Sequence, residues 1–341
     1  MDILAQLESR TEEEPLVAVR NLKTYLNTSK GVVKAVDDVS FDIQKGEILG
    51  IVGESGSGKT MTALSIMRLL PSPPAEIVSG SINLDGEDLV GLPDDRMREI
   101  RGSKISMIFQ DPLTSLNPLM KVGTQIAEVS QIHNKASKEE SERRAIELLK
   151  LVGIPEAETR ASEYPFELSG GMRQRVMIAI ALAANPELII ADEPTTNLDA
   201  TIQAQILSLL KKIRDKQNTS VLMITHNLGI VAWICDRVAV MYAGKIVEFG
   251  PTKLVLQNPF HPYTKALLNS VPRMDTEKGK LETIPGEVPV MVGMPANCHF
   301  NPRCTYAKSI CRTTEPYMIE VEPNHWASCF VYSEGWDKLH E

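Results

Sequence analysis

Apolar runs of strand length punctuate residues 16 to about 250, with polar or glycine-containing segments between them. GEILGIVG (46–53), ELIIA (187–191), SVLMIT (220–225) and RVAVMY (237–242) are rich in aliphatic residues, as strands buried on both faces of a parallel sheet should be. Helix-compatible stretches alternate with them. KTMTALSIMRLL follows the first run, and in TIQAQILSLLKKIRDK the residues Ile202, Ile206, Leu209, Leu210 and Ile213 recur on one face at helical spacing. This alternation predicts an α/β fold.

From about 112 to 184 the pattern is predominantly helical, which predicts a helical insertion in the sheet domain. Within it SKEESERRAIELLKLVG opens with a capping-box pattern, Ser137 and Glu140, and closes at Gly153 with Pro155 beyond. After about 250 periodicity fades into a stretch containing Pro, Gly and Met. Two domains are expected, 1–258 and a small irregular extension over 259–341, and 341 residues are enough for two cores.

Composition narrows the function classes. Hydrophobic content of 43% and charged content of 23% are globular values. A net charge of -8 argues against a broad basic surface for nucleic acid, so nucleic acid is not an expected partner. No apolar run approaches the roughly 18 residues needed to cross a bilayer. MDILAQLESRTEEEP has no basic segment leading into an apolar one, so it does not read as a secretory signal. A cytosolic setting is expected, where disulfides are rare and clustered cysteines point to metal.

Three segments carry chemistry. GESGSGKT (53–60) fits G-x-x-x-x-G-K-[ST] between a strand and a helix. Gly53, Ser55, Gly56 and Gly58 belong to a loop whose N–H groups can wrap phosphate oxygens. Lys59 would meet the β/γ-phosphates and Thr60 would ligate Mg²⁺; Thr62, just beyond, is grouped with these nucleotide-binding residues. LIIADE (188–193) brings two acids to a strand end, Asp192 for the Mg²⁺ and Glu193 to polarise the attacking water. In LSGGMRQ (168–174), Ser169, Gly170 and Gly171 precede a helix and form a second anion-binding terminus. One ATP does not need two such cradles from one chain.

At this point the sequence resembles the nucleotide-binding subunits of ATP-binding cassette (ABC) proteins, P-loop ATPases with a helical subdomain. There the Ser-Gly-Gly signature closes over ATP held by the opposite subunit. The resemblance implies that Tyr25 stacks on adenine. It also implies that Gln110 senses metal and γ-phosphate and links them to the membrane partner, that Asp199 is the acid of TNLD (196–199), and that His226 contacts the γ-phosphate. Asn197 stands where alanine is common in the family.

QDPLTSLNP (110–118), DEPTTNLDATIQAQI (192–206) and NPFHPYTKALLNSVP (258–272) resemble the oligopeptide, dipeptide and nickel importers. That resemblance implies ATP-driven import, with peptides as the leading substrate and nickel or oligosaccharides as alternatives. It implies a second homologous ATPase subunit, two transmembrane permease subunits and an extracytoplasmic solute-binding protein. The chain would sit peripherally on the cytoplasmic face of the inner membrane. The rival is a soluble, non-transport ABC ATPase.

Four of the five cysteines, Cys298, Cys304, Cys311 and Cys329, follow C-x₅-C-x₆-C-x₁₇-C. Short zinc knuckles are absent, so the spacing weakens zinc without excluding it, and four thiolates also suit an iron–sulfur cluster. The family resemblance implies a 4Fe-4S cluster on these four residues, with zinc as the alternative and His299 and His325 as possible substitute ligands. Cys235 reads as a small buried residue.

Overall fold

The computed structural model describes residues 14–196, 198–270, 284–333 and 336. In chain order its strands are β1 (Val17–Thr28), β2 (Gly31–Ile43), β3 (Ile48–Val52), β4 (Ala75–Leu84), β5 (Glu87–Asp88), β6 (Ile105–Ile108), β7 (Leu188–Asp192), β8 (Ser220–Thr225), β9 (Arg237–Tyr242), β10 (Lys245–Pro251), β11 (Ile319–Glu322) and β12 (His325–Ala327). The chain forms two compact units, one of 1–44, 49–90 and 225–341, the other of 45–48 and 91–224.

The first unit holds an antiparallel sheet in the order β2-β1-β4-β5. Val17, Val19, Leu22 and Thr24 of β1 face inward. The step from 19 to 22 breaks strict alternation because the register with β2 shifts between Val19 and Leu22. The same unit contains the run β11-β12-β10-β9-β3. Strand β3 is buried at every position and pairs in parallel with β9, as its uniformly aliphatic sequence requires. Strands β9 and β10 join through Ala243 and Gly244, both at positive φ (43° and 84°), the hairpin geometry whose twist matches that of the strands.

The tail after 258 contributes more order than its sequence pattern suggests. Strand β12 pairs with β10, Glu248 opposite Ala327 and Phe249 opposite Trp326, and β11 pairs with β12. The expected boundary near 258 therefore does not coincide with the division between the compact units. Residues beyond it share a unit with the 53–60 loop.

In the second unit β6, β7 and β8 run parallel with β7 central. Among the described residues between β6 and β7 there are helices and turns but no strand. The longer helices there are Val122–Asn134, Lys138–Leu151 and Gly170–Leu182. The capping box forms as the sequence indicates: Ser137 accepts from Glu140 N, and Glu140 Oε2 accepts from Ser137 N at 2.9 Å. Helix Ala200–Gln217 buries Ile206, Leu209, Leu210 and Ile213 and leaves Ile202 half-buried. No helix among the described residues is long and apolar enough to cross a membrane.

Candidate functional site

The loop 53–60 leaves the buried end of β3 and runs directly into helix Lys59–Met67. Side chains are barred from two of its positions. A Cβ on Gly53 would lie 2.1 Å from Met241 O, and one on Gly58, at φ +109°, would lie 2.2 Å from Ala35 O. Lys59 is buried, and its Nζ donates to Gly53 O at 2.8 Å and Glu54 O at 2.9 Å. The ammonium is thus fixed against the loop, and Ser55, Gly56 and Thr60 are exposed. Thr62 behaves otherwise than expected. It is fully buried and its hydroxyl donates to Gly58 O at 3.1 Å, so its polar atom serves the first helical turn.

Glu54, the second loop residue, is held by the tail. Its N–H donates to Tyr263 Oη at 2.9 Å, and its carboxylate receives Arg303 through Nη1 at 2.8 Å and Nη2 at 3.2 Å. Burial on its own lowers the proton affinity of the Arg303 guanidinium, but the hydrogen bonds and charges of Glu54 and Tyr242 together outweigh it, and the group is held firmly charged. Sequence reading missed both residues. Tyr263 sits in the quoted FHPY segment, which was available as a signal; nothing local marks Arg303.

Tyr25 lies on β1 with its ring half-exposed. Its hydroxyl donates to Asp37 Oδ1 at 2.6 Å, and Lys34 Nζ stands 5.8 Å from the ring centroid. Burial and the Asp37 bond push the phenol above its ordinary range. His226 is exposed at the end of β8, and the next residue, Asn227, caps helix Leu228–Ile234 by accepting from Gly229 N at 2.8 Å.

In the second unit Asp192 is buried at the end of β7. Glu193 follows at φ +47° with its N–H on Ile224 O at 2.9 Å, a conformation uncommon for non-glycine residues. Gln110 Nε2 donates to Glu193 Oε2 at 3.2 Å and Thr196 Oγ1 donates to the same oxygen at 3.0 Å. Two of the expected residues of this unit, Gln110 and Glu193, thus meet, and Thr196 joins them. Ser169 caps helix Gly170–Leu182, accepting from Met172 N at 3.3 Å, and Ser169 and Gly170 are exposed. Asp199 caps the next helix through Thr201 N and Ile202 N. Asn197 lies outside the described residues.

Cys298, Cys304, Cys311 and Cys329 line one narrow cavity, with His261, Phe300, Tyr306 and Trp336 among the other walls. All four thiols are free. Burial pushes Cys298 up to about 12 and Cys329 up to about 11, and raises Cys304. Among the described residues no group of three or more His, Cys, Asp or Glu is arranged to hold a metal ion, which is less than the expected metal-binding extension. Neither expected substitute ligand lines this cavity. His299 Nδ1 bonds Ala243 O at 2.8 Å and His325 Nε2 bonds Glu248 Oε1 at 2.8 Å. His261 does line it; burial drives it down to about 3, and its Nδ1 accepts from Tyr263 N at 3.0 Å. Cys235 is buried, as expected.

Comparison with known proteins bears on these motifs. Residues 36–196 match the family described as ABC transporter, and residues 247–311 match the oligopeptide/dipeptide transporter, C-terminal region. The chain is 50% identical over 319 residues to the oligopeptide transport ATP-binding protein AppD of Bacillus subtilis, covering 94% of this chain and 97% of that protein. It is 49% identical over 330 residues to a probable peptide ABC transporter ATP-binding protein of Sinorhizobium fredii, covering 96% and 98%. Among solved structures it is similar to the ATP-binding cassette MJ0796 in a dimeric post-hydrolysis state bound to ADP and Pi. The TM-score there is 0.63 at 30% identity, over 69% of this chain and 98% of that one.

Proposed function

Because this chain belongs to the oligopeptide/dipeptide branch of the ABC transporter ATP-binding subunits, we propose that it hydrolyses ATP to drive peptide import through a membrane complex. The observation that carries this reading is the presence on one chain of two anion-binding termini. One is the 53–60 loop backed by the buried Lys59; the other is the exposed Ser169–Gly170 start of a long helix.

The roles follow motif by motif. Gly53, Ser55, Gly56, Gly58 and Lys59 take the phosphates, and Tyr25 takes the adenine. Thr60 in the first unit, and Asp192 and Gln110 in the second, are the residues that would hold Mg²⁺, whose charge would offset that developing on the γ-phosphoryl group. Glu193 orients and polarises the attacking water, and His226 contacts the γ-phosphate. Ser169, Gly170, Gly171 and Asp199 serve ATP on the opposing cassette. The exposure of Ser169 and Gly170, which their own chain leaves uncovered, supports this assignment. Dimer closure on two ATP molecules then levers the permease subunits, and hydrolysis reopens the dimer.

The partners are a second related ATPase subunit, two permease subunits and an extracytoplasmic solute-binding protein, with this chain peripheral on the cytoplasmic face of the inner membrane. The four cysteines hold a 4Fe-4S cluster. What supports this is that four free thiols face one cavity, and a cluster takes one thiolate per iron. Bound there, it would cross-link a tail with little core of its own.

Reconstitution of the full complex in vesicles tests the function. ATP-dependent accumulation of labelled peptide, lost in K59A, is the expected result. Accumulation of nickel or an oligosaccharide in place of peptide overturns the substrate, and no ATP turnover in the assembled complex overturns the reading.

A further inference from the structure

All three hydrogen-bonding parts of residue 54 are occupied. Its carbonyl accepts from Lys59 Nζ, its N–H donates to Tyr263 Oη, and its carboxylate is gripped by Arg303. A loop that presents N–H groups to phosphate works by holding those groups in place beforehand, and residue 54 sets the direction in which the loop leaves β3. Arg303 is itself fixed. Its Nε donates to Pro285 O at 2.8 Å, Nη2 donates to Ile284 O at 3.3 Å, and its guanidinium carbon lies 5.8 Å from the Tyr242 ring centroid. The side chain is 7% exposed and that of Glu54 is 24% exposed. Arg303 ends the short helical turn Asn301–Arg303, between Cys298 and Cys304. Tyr263 follows His261, and His261 lines the same cavity as the four thiols.

We propose that Tyr263 and Arg303 are positioning residues for the phosphate loop, so that the folded state of the cysteine-bearing tail sets the affinity for nucleotide; the proposal rests on the assignment of this loop to ATP. The planar Arg303 fork fits a carboxylate in two places at once, which a lysine cannot reproduce. Loss of the brace loosens the loop for bound substrate and transition state alike. It therefore raises KM for ATP and leaves kcat at saturating ATP unchanged.

The test uses the full chain for hydrogen exchange and MgATP titration, and the assembled complex for kinetics. R303M should speed amide exchange over 53–60 and weaken MgATP about tenfold, the worth of one charge-assisted hydrogen bond, with kcat unchanged and R303K intermediate. If R303M does not fold, Y263F decides, because it removes one oxygen and leaves the ring; a KM rise of about threefold is expected. Wild-type exchange and wild-type KM in both variants overturn the brace. Faster exchange in the variants of a chain that binds no MgATP upholds the brace and instead sinks the ATP assignment.

Discussion

Gln110 and Glu193 are joined by a 3.2 Å hydrogen bond, and Thr196 shares the same carboxylate oxygen at 3.0 Å. The two contacts fix the direction of a carboxylate whose backbone is already held at positive φ. E193Q keeps an oxygen that can accept from both partners and loses only the charge. The variant should lower kcat for ATP by about 10²–10⁴-fold, the range for a positioned general base, with nucleotide binding little changed. Turnover of the assembled complex at saturating MgATP is the measurement, and wild-type turnover in E193Q removes Glu193 from the mechanism.

Asp37 anchors Tyr25 and faces Lys245 at 3.5 Å and Lys34 at 3.8 Å. Burial alone raises the proton affinity of this carboxylate, but the Tyr25 bond and the two lysines together take it below its ordinary 3.8. A carboxylate that is a stronger acid folded than unfolded contributes stability above the unfolded value. That contribution is lost as pH falls through the folded one. The stability gap between wild type and D37N should therefore be full at neutral pH and narrow below about pH 4. Urea midpoints at pH 7 and pH 3 measure it, and a gap of the same size at both removes the linkage.

How far the sequence disclosed this arrangement depended on whether the signal was local. The loop at 53–60, the Ser137 cap and the buried face of Ala200–Gln217 all depend on neighbours within a few residues, and each was legible. The antiparallel sheet was not, because Arg20 and Asn21 fall at the register shift of β1 and break the alternation that would have marked it. Strand β12 has three residues and exists through pairing with β10, far away in sequence. His299 and His325 looked available to a metal since nothing near them shows that Ala243 and Glu248 take their ring nitrogens. The burial of Thr62 was hidden for a related reason. Its hydroxyl turns back to Gly58, which depends on side-chain direction rather than on motif spacing.

Glu248 joins β10 to the tail. Fully buried, its carboxylate accepts from Phe260 N at 2.8 Å, His261 N at 2.9 Å and His325 Nε2 at 2.8 Å. E248A would leave two backbone donors and an imidazole without their acceptor in the buried interior. A loss of about 3–5 kcal/mol is expected, as when one partner of a buried pair is removed. Denaturant unfolding measures it, and limited proteolysis should show cleavage after 258 before cleavage within 91–224. A loss of under about 1 kcal/mol would mean that the contacts do not hold the tail.

The cysteine cavity gives a prediction that can be read without any transport assay. Four thiols face it, and burial makes Cys298 and Cys329 costly to ionise, up to about 12 and about 11. The full chain purified without oxygen should be brown, absorb near about 400 nm and carry about four irons with equal sulfide. C304S or C329S should lower iron and colour together while MgATP binding persists, weakened in line with the looser Arg303 brace. A colourless chain with about one zinc would instead draw the thiols onto a single ion at about 2.3 Å. That result would replace the cluster by a redox-inert staple.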